Sequence, residues 1–279
     1  MRSDRPLRTY GHQFDVNCSI LFTELPLLER PAAARAAGFE GIELWWPWEA
    51  PEPADKDADQ LVTAIADAGV HLACLNFIAG DMAAGERGLL SVPAGRDAFR
   101  RNVPAATELA ARLGCRNLNA PYGNRVDPAD ARLIRRQDEL AIENLQLAAD
   151  TAARADPGLR VLIEPINSAD VPRYPIDSSA KARSVIDKSR RVNVRMLADL
   201  YHLATMSEDL SAALEQHADL IGHVQVADVP GRGAPGTGGL DFEPLFAQLA
   251  GQGYEGWVGI EHVPADPGDS APSLAWASA

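Results

Sequence analysis

The stretch Val161-Leu-Ile-Glu164 is a short apolar run that ends in a carboxylate, and three later stretches have a similar form. They read Met196-Leu-Ala-Asp199, His223-Val-Gln225-Val and Val258-Gly-Ile-Glu261, and their polar residues follow one another at separations of 35, 26 and 36 residues. Each separation is about the length of one strand–helix unit, so the four stretches predict consecutive parallel strands. Their polar side chains are then directed toward the same end of the sheet.

Four earlier apolar runs extend this pattern over the whole chain. The eight predicted strands are residues 14–21, 41–46, 71–77, 116–120, 160–166, 194–201, 221–227 and 257–261. The segments between them have helical spacing, as in Phe99, Val103, Ala106 and Ala110. Eight parallel strands joined by right-handed crossovers are enough to close into a barrel. An open sheet is disfavoured because no G-x-G-x-x-G motif follows the first strand. The predicted fold class is α/β, a single (β/α)8 TIM barrel.

The length of the chain fits one such barrel. We expect a single domain over residues 1–279, with the barrel at about 13–262 and a loose tail at 263–279. The segment with helical character after the eighth strand is confined to residues 270–277 and follows a stretch rich in Pro, Gly and Asp. The last helix of the barrel is therefore predicted to be shortened.

Charge and composition exclude several classes of partner. The formal net charge of −13 repels nucleic acid and anionic membranes, so neither is expected as a partner. No apolar run is long enough to span a bilayer, and the start Met1-Arg-Ser-Asp-Arg-Pro lacks the apolar core of a secretory signal. Cys18, Cys74 and Cys115 lie in or beside apolar runs, which favours buried thiols in a reducing compartment. We expect a cytoplasmic protein.

The four strand-end residues Glu164, Asp199, Gln225 and Glu261 are candidate ligands of a metal ion. Three carboxylates brought together repel one another and lose hydration, at a cost that a divalent cation compensates. Oxygen ligands favour Mg²⁺ or Mn²⁺ over Zn²⁺. His223, two residues before Gln225 on the same strand face, is expected to form a hydrogen bond deeper in the barrel.

Two long loops follow strands and should lie at the carboxyl end of the barrel, where active sites of this fold are built. They are residues 78–95, which contain Arg87, and residues 228–239, which contain Arg232. An arginine suits a substrate carboxylate, so Arg232 is a candidate substrate-binding residue and Arg87 a second one. The second loop lacks the Gly-Lys-Ser/Thr of a phosphate-binding loop.

Two further side chains are candidate substrate contacts. His202 comes three residues after Asp199 and would face away from the site on a continuous strand, so it reaches the site only if the strand has already ended. The alternative is a structural histidine. Trp48 is predicted to form a pocket wall, whereas Trp45 or Trp46 is expected to pack in the core.

Several motifs in combination resemble a known family. They are Gly80-Asp-Met-Ala-Ala-Gly-Glu-Arg-Gly88, Val92-Pro-Ala-Gly-Arg96, Ile163-Glu-Pro-Ile-Asn167, Asp199-Leu-Tyr-His202, His223-Val-Gln-Val-Ala-Asp228 and Arg232-Gly-Ala-Pro-Gly-Thr-Gly238. The sequence resembles the hydroxypyruvate isomerase family of xylose-isomerase-like TIM barrels over residues 13–262. The stretch after Glu261, His262-Val-Pro264, departs from the Tyr-Lys-Pro that is common in that family.

The resemblance implies an isomerase that interconverts hydroxypyruvate and tartronate semialdehyde through an enediolate. It implies that Glu164 and Glu261 are catalytic and shuttle the proton. It also implies that His202 and Arg232 bind a small hydroxy- or oxo-acid and that the chain forms a homo-oligomer. The metal it implies, Mg²⁺ or Mn²⁺, is held at Glu164, Asp199, Gln225 and Glu261.

Other activities that use the same barrel are alternatives to this one. A 2-oxo-tetronate isomerase or a ketose 3-epimerase shares the enediolate step and differs in substrate. A DNA-repair nuclease would need more histidine ligands and a basic surface, which the charge of −13 disfavours. A non-catalytic binding barrel is disfavoured because all four candidate metal ligands are present.

Overall fold

The computed structural model describes residues 11–278, so the stretch from Met1 in which no secretory signal is expected lies outside the described residues. Eight parallel strands form a closed barrel in chain order, which confirms the predicted fold class. The strands are β1 (Gln13–Asn17), β2 (Gly41–Leu44), β3 (His71–Asn76), β4 (Asn117–Asn119), β5 (Arg160–Ile163), β6 (Val194–Asp199), β7 (Ile221–Val226) and β8 (Trp257–Ile260).

Helices connect the strands on the outside of the barrel. In chain order they are α1 (Arg30–Ala36), α2 (Asp55–Ala68), α3 (Arg96–Arg112), α4 (Ala131–Ala155), α5 (Ser179–Ser189), α6 (Leu200–Thr205), α7 (Leu210–Gln216), α8 (Phe242–Gly251) and α9 (Ala275–Ser278). Both α6 and α7 lie between β6 and β7. After β8 come only a short 3-10 turn, Ala271–Leu274, and α9, so the last helix is shortened as predicted.

The main core lies between the outer face of the strands and the inner faces of these helices. On α3, the predicted apolar face of Phe99, Val103, Ala106 and Ala110 is buried. Full burial of one large apolar side chain stabilises the fold by roughly 1.5–3 kcal/mol, so a face of this kind fixes the helix against the barrel. A second, small apolar cluster of Cys74, Leu162 and Leu197 is also buried.

The first strand is shorter than its apolar sequence predicts. It ends at Asn17, because the backbone N–H groups of Ile20 and Leu21 donate to the Asn17 carbonyl oxygen at 3.1 and 2.9 Å and form a turn. Leu21 is nevertheless fully buried. Apolar residues therefore continue past the end of the strand, and apolarity alone places that end too late.

The cysteines are buried and unpaired, as predicted. Burial raises the pKa of Cys115 to about 12, and burial likewise raises the pKa of Cys18 and of Cys74. These thiols stay protonated at neutral pH and act as small apolar side chains. Within residues 11–278, the helices are too short or too polar for any to cross a bilayer.

Candidate active site

A cavity of about 170 Å³ opens at the carboxyl ends of the strands. Five residues predicted from the sequence line it: Arg87, Glu164, His202, Arg232 and Glu261. The other lining residues include Trp45, Asn76, Met82 and Asp170. Asp199 and Gln225 are buried beside it, with 1% and 2% of their surface exposed. The fold therefore brings the candidate metal ligands and most of the candidate substrate residues to one end of the barrel.

Glu164 directly follows β5 and is held by the preceding strand. The side-chain amide of Asn119, the last residue of β4, donates to Glu164 Oε2 at 2.7 Å. Burial raises the pKa of Glu164 to about 8, and the negative charge of Asp199 adds to this rise. Glu164 is thus a carboxyl group that changes protonation close to neutral pH, as general acid–base chemistry requires.

Asp199 is both the end of β6 and the cap of the next helix. Its Oδ1 accepts the backbone N–H of Tyr201 at 2.8 Å and begins α6, while Oδ2 has no hydrogen-bond partner within residues 11–278. Because the helix begins at once, His202 turns back toward the site. Its Nε2 lies 3.5 Å from Asp199 Oδ2 and 3.8 Å from Glu164 Oε1.

His202 is neutral in this position. Burial lowers its pKa to about 4, and its Nδ1 lies 2.7 Å from the side-chain nitrogen of Asn167. The amide nitrogen donates, so Nδ1 is the acceptor and Nε2 carries the ring proton toward the two carboxylates. This arrangement fits a residue that donates a hydrogen bond from Nε2 to a ligand at the site.

Gln225 on β7 contacts Glu43, a residue that the strand-end pattern did not single out. Gln225 Nε2 donates to Glu43 Oε2 at 2.5 Å, and His223 Nε2 lies 2.9 Å from Glu43 Oε1. The hydrogen bond expected of His223 deeper in the barrel is present. The Oε1 atom of Gln225 is buried and has no partner among the described residues.

Glu261 directly follows β8 and accepts hydrogen bonds from three elements. Asn17, at the end of β1, donates to its Oε1 at 2.8 Å, and Trp45 Nε1 donates to the same atom at 3.2 Å. Arg232 Nη2 donates to its Oε2 at 2.6 Å and lies 3.6 Å from Asp199 Oδ2. Glu261 and Glu164 are therefore positioned alike, each by an asparagine that ends a neighbouring strand.

The loop that carries Arg232 is ordered by one buried carboxylate. Asp228 Oδ2 accepts the backbone N–H groups of Gly236 and Gly238 at 2.9 and 2.8 Å. The Arg232 carbonyl oxygen in turn accepts the N–H of Val263, just after β8. The loop is tied to itself and to the barrel, which fixes the direction of the Arg232 side chain.

Arg87 reaches the cavity from the other long loop. Its Nη1 donates to the carbonyl oxygens of Met82 and Glu86 at 2.9 and 2.7 Å. Within residues 11–278, no carboxylate oxygen lies within the 4.0 Å ion-pair distance of this guanidinium. Its positive charge is therefore left for a ligand in the cavity.

The geometry fits a divalent cation. One oxygen or nitrogen of each of Glu164, Asp199 and His202 lies within 4.8 Å of the others, a group that could hold a metal ion. Asp199 Oδ2 and Gln225 Oε1 are two of the buried oxygens that lack a hydrogen-bond partner in the described chain, and they are acceptors that such an ion would satisfy.

Of the tryptophan expectations, core packing of Trp45 or Trp46 is met by Trp46, and the pocket wall at Trp48 is wrong. Trp45 lines the cavity, whereas Trp48 is not among the residues that line it and packs edge-on against Trp46, with ring centroids 5.0 Å apart. The strand ends explain this, because Trp45 directly follows β2 and lies at the rim, while Trp46 and Trp48 turn outward to the core. The pocket wall predicted at Trp48 is formed by Trp45.

Sequence reasoning also missed Asn17, Asn119 and Glu43. Asn17 and Asn119 are the last residues of β1 and β4, so a search for any polar strand end, and not only for carboxylates, would have found them. Glu43 is the third residue of the four-residue strand β2, and no feature of its sequence surroundings marks it.

Comparison with known proteins places this geometry in a family. The model of the xylose isomerase-like TIM barrel matches residues 31–278. The chain belongs to the xylose isomerase-like TIM barrel family. A Streptomyces coelicolor protein named "Putative hydroxypyruvate isomerase" is 50% identical over 270 residues, 95% of each chain. A 2-oxo-tetronate isomerase of Cupriavidus necator is 35% identical and aligns over 90% of this chain and 93% of its own.

A solved member of the family has the same architecture. The crystal structure of an AP endonuclease, family 2, from Brucella melitensis superposes with a TM-score of 0.85 at 36% identity, covering 96% of this chain and 98% of that one. Within the xylose isomerase-like family, the curated relatives above are isomerases that align over nearly their whole length. The chain is therefore an isomerase on a TIM barrel.

Proposed function

We propose that the chain is a metal-dependent isomerase that interconverts hydroxypyruvate and tartronate semialdehyde. The observation that carries the proposal is the pair of glutamates at one small cavity. Glu164 and Glu261 both line it, and each accepts a hydrogen bond from an asparagine at the end of a neighbouring strand, Asn119 and Asn17. Two fixed carboxyl groups suit a reaction that removes a proton from one carbon and returns one at the next.

Glu164, Asp199, Gln225 and Glu261 would hold the divalent cation, Mg²⁺ or Mn²⁺. The all-oxygen set supports this, as do one oxygen of Asp199 and one of Gln225 that accept no hydrogen bond within the described chain. Such an ion, when bound, polarises the substrate oxygens and stabilises the negative charge that develops on them.

The two glutamates carry out the proton transfers. In one direction, one glutamate removes a proton from the hydroxymethyl carbon of hydroxypyruvate, and the C–H electron pair shifts toward the carbonyl to give an enediolate. The other glutamate protonates the former carbonyl carbon, and the hydroxyl proton passes from one substrate oxygen to the other. The product is an aldehyde with the same atoms and electrons as the substrate. Arg232, in contact with Glu261, adds positive charge beside the developing oxyanion.

The cavity favours a small acid as substrate. Its volume of about 170 Å³ accommodates a molecule of three or four carbons. Arg87 presents a guanidinium at its wall that has no carboxylate partner within residues 11–278, which suits the carboxylate that hydroxypyruvate and 2-oxo-tetronates share and that neutral ketoses lack. The relative at 50% identity supports hydroxypyruvate as the first choice, and the relative at 35% supports a four-carbon 2-oxo-tetronate as the second.

A nuclease activity, which the name of the Brucella melitensis protein brings into consideration, is a poorer fit. A net charge of −13 opposes binding of a phosphate backbone. The proposed ligands at the cavity are three carboxylates and an amide oxygen, and His202 is the one histidine of the metal-binding group found there within the described residues, whereas several zinc ions would require more nitrogen ligands.

The test is a substrate panel with and without metal. The purified protein is treated with a chelator, divided, and resupplied with Mn²⁺, Mg²⁺ or buffer, and each sample is assayed on hydroxypyruvate, a 2-oxo-tetronate and a neutral ketohexose. We expect the highest kcat/KM on hydroxypyruvate, loss of that activity on chelation and its return with metal. Full activity after chelation would show that the reaction does not depend on a metal. Turnover of the ketohexose alone would show that the substrate is a neutral ketose and not a small acid.

A further inference from the structure

Glu43 and Gln225 meet inside the barrel although their strands are not neighbours. They lie on β2 and β7, and β1 and β8 separate these strands in the sheet. The path between them crosses Gly259 on β8, where a Cβ atom would overlap Glu43 Oε1. The absence of a side chain at Gly259 is therefore what allows Glu43 to extend across the barrel to Gln225.

Both oxygens of the Glu43 carboxylate lie within hydrogen-bond distance of a side-chain nitrogen. Oε2 accepts from Gln225 Nε2, and Oε1 is 2.9 Å from His223 Nε2. Glu43 and His223 are 1% and 0% exposed, so water does not compete for these bonds. Glu43 Oε2 accepts from the nitrogen end of the Gln225 amide, and the oxygen end, which has no proton to donate, cannot replace it at an accepting oxygen.

That selection decides which atom Gln225 presents to the site. With its nitrogen directed to Glu43, its oxygen Oε1 is directed away, and it is buried without a partner within residues 11–278. The two ends of an amide are nearly equal in size, so packing alone distinguishes them poorly. Only the oxygen end is a ligand for a hard divalent cation.

We propose that Glu43 is a positioning residue for the metal site, because it fixes the Gln225 amide with its oxygen toward the ion. This inference rests on the metal site of the proposed function. It adds a role for a residue that lies outside the cavity lining and outside the proposed ligand set, and it explains why a carboxylate is buried at this level of the barrel.

The decisive variant is E43Q, with Mn²⁺ affinity measured by isothermal titration calorimetry. A neutral amide at position 43 can donate or accept, so Gln225 can turn its nitrogen toward the ion. We expect Mn²⁺ to bind about 10- to 100-fold more weakly, the range usual when the partner of a metal ligand is lost. The matched control is E208Q, which also neutralises a hydrogen-bonded glutamate, one that accepts from Ser179.

A charge-conserving exchange separates orientation from general stability. In E43Q/Q225E, the amide at 43 donates to the carboxylate at 225, which presents an oxygen to the ion in either orientation. We expect this double variant to recover Mn²⁺ affinity to within a few-fold of the wild type. A purely structural role of Glu43 predicts instead that Mn²⁺ affinity follows the Tm of each variant, so thermal unfolding is measured beside the titration.

The outcomes are distinguishable. Wild-type affinity in E43Q, or no recovery in a folded double variant, overturns the role of Glu43 while the metal site itself stands. No Mn²⁺ binding by the wild type overturns the proposed metal site and this inference with it. If E43Q does not fold, E43D, which keeps the charge on a shorter side chain, is measured instead, and wild-type affinity in that variant counts against the inference.

Discussion

Arg232 contacts Glu261 at two points: its Nε donates to the backbone carbonyl oxygen at 3.0 Å, and its Nη2 donates to carboxylate Oε2 at 2.6 Å. The same Nη2 is 3.6 Å from Asp199 Oδ2. One guanidinium thus balances the charge of two proposed metal ligands. The sequence suggested only a substrate contact for Arg232, and the geometry adds the role of counter-ion to the carboxylates.

Replacing Arg232 by Ala should therefore affect both stability and turnover. Glu261 is 4% exposed on its side chain, and a buried carboxylate that loses its charged partner costs about 3 kcal/mol. We expect a lower Tm and a lower kcat in R232A, and intermediate values in R232K, which keeps the charge without the two-point contact. Thermal unfolding and steady-state kinetics measure these effects. An R232A melting curve equal to that of the exposed-site control R101A would contradict the counter-ion role.

Glu164→Gln and Glu261→Gln test the proton transfers. Each change keeps the shape of the side chain and removes its ability to take up or release a proton. We expect kcat to fall by about 100- to 10,000-fold in each variant, with the circular dichroism spectrum unchanged. The control is E208Q, whose glutamate accepts from Ser179 at the start of α5 and is not among the residues that line the cavity. Near-normal turnover in both active-site variants would refute the proposed mechanism.

The fold could be predicted from the sequence because strand-like and helical segments alternate along the whole chain. Eight short apolar runs separated by helical spacing have few arrangements, and a parallel closed barrel is the one observed. The errors lie at strand ends, as at Asn17, where a backbone turn stops the strand while buried apolar residues continue. The end of the strand is set by backbone hydrogen bonding, so it cannot be located from hydrophobicity alone.

The candidate site could be predicted from the sequence only in part. Carboxylates at the ends of β5, β6 and β8 converge because parallel strands end on one face, which the sequence spacing already implies. The contact of Glu43 with Gln225 depends on a path across the barrel and on the missing side chain at Gly259, and linear spacing contains neither. Likewise, whether Trp45 or Trp48 faces the cavity depends on the residue at which β2 ends.

Arg87→Ala should weaken the binding of acids selectively. Its guanidinium lines the cavity without an ion-pair partner among the described residues, so its charge is available to a substrate carboxylate. Loss of one charged hydrogen bond costs roughly 1.5–3 kcal/mol, which corresponds to an increase in KM of about 10- to 100-fold with little change in kcat. For comparison, the inhibition constant of a neutral triose ketose of similar size is measured in the wild type and in R87A. An equal loss for the acid and for the neutral compound would show that Arg87 shapes the pocket without recognising the carboxylate.

The raised pKa of Glu164 predicts a pH-dependent stability of the chelator-treated protein. The folded-state pKa of about 8 exceeds the ordinary value of 4.5, so folding favours the protonated form. The stabilisation from that proton is complete below pH 4.5 and is lost as the pH rises toward 8, with a slope of at most about 1.4 kcal/mol per pH unit. E164Q is neutral at every pH, so its Tm should exceed that of the wild type by a margin that grows across this window.

A divalent cation should reverse that trend in the wild type. Metal binding requires the ionised form of Glu164, so Mn²⁺ competes with the proton and should bind more tightly as the pH rises toward 8. The Tm increase on adding Mn²⁺ is therefore expected to grow with pH in the wild type and to be small in E164Q at every pH. Differential scanning calorimetry at pH 5, 6, 7 and 8, with chelator or with Mn²⁺, gives all four series. An increase that is the same at every pH, or equal in E164Q, would mean that Glu164 does not exchange its proton for the ion.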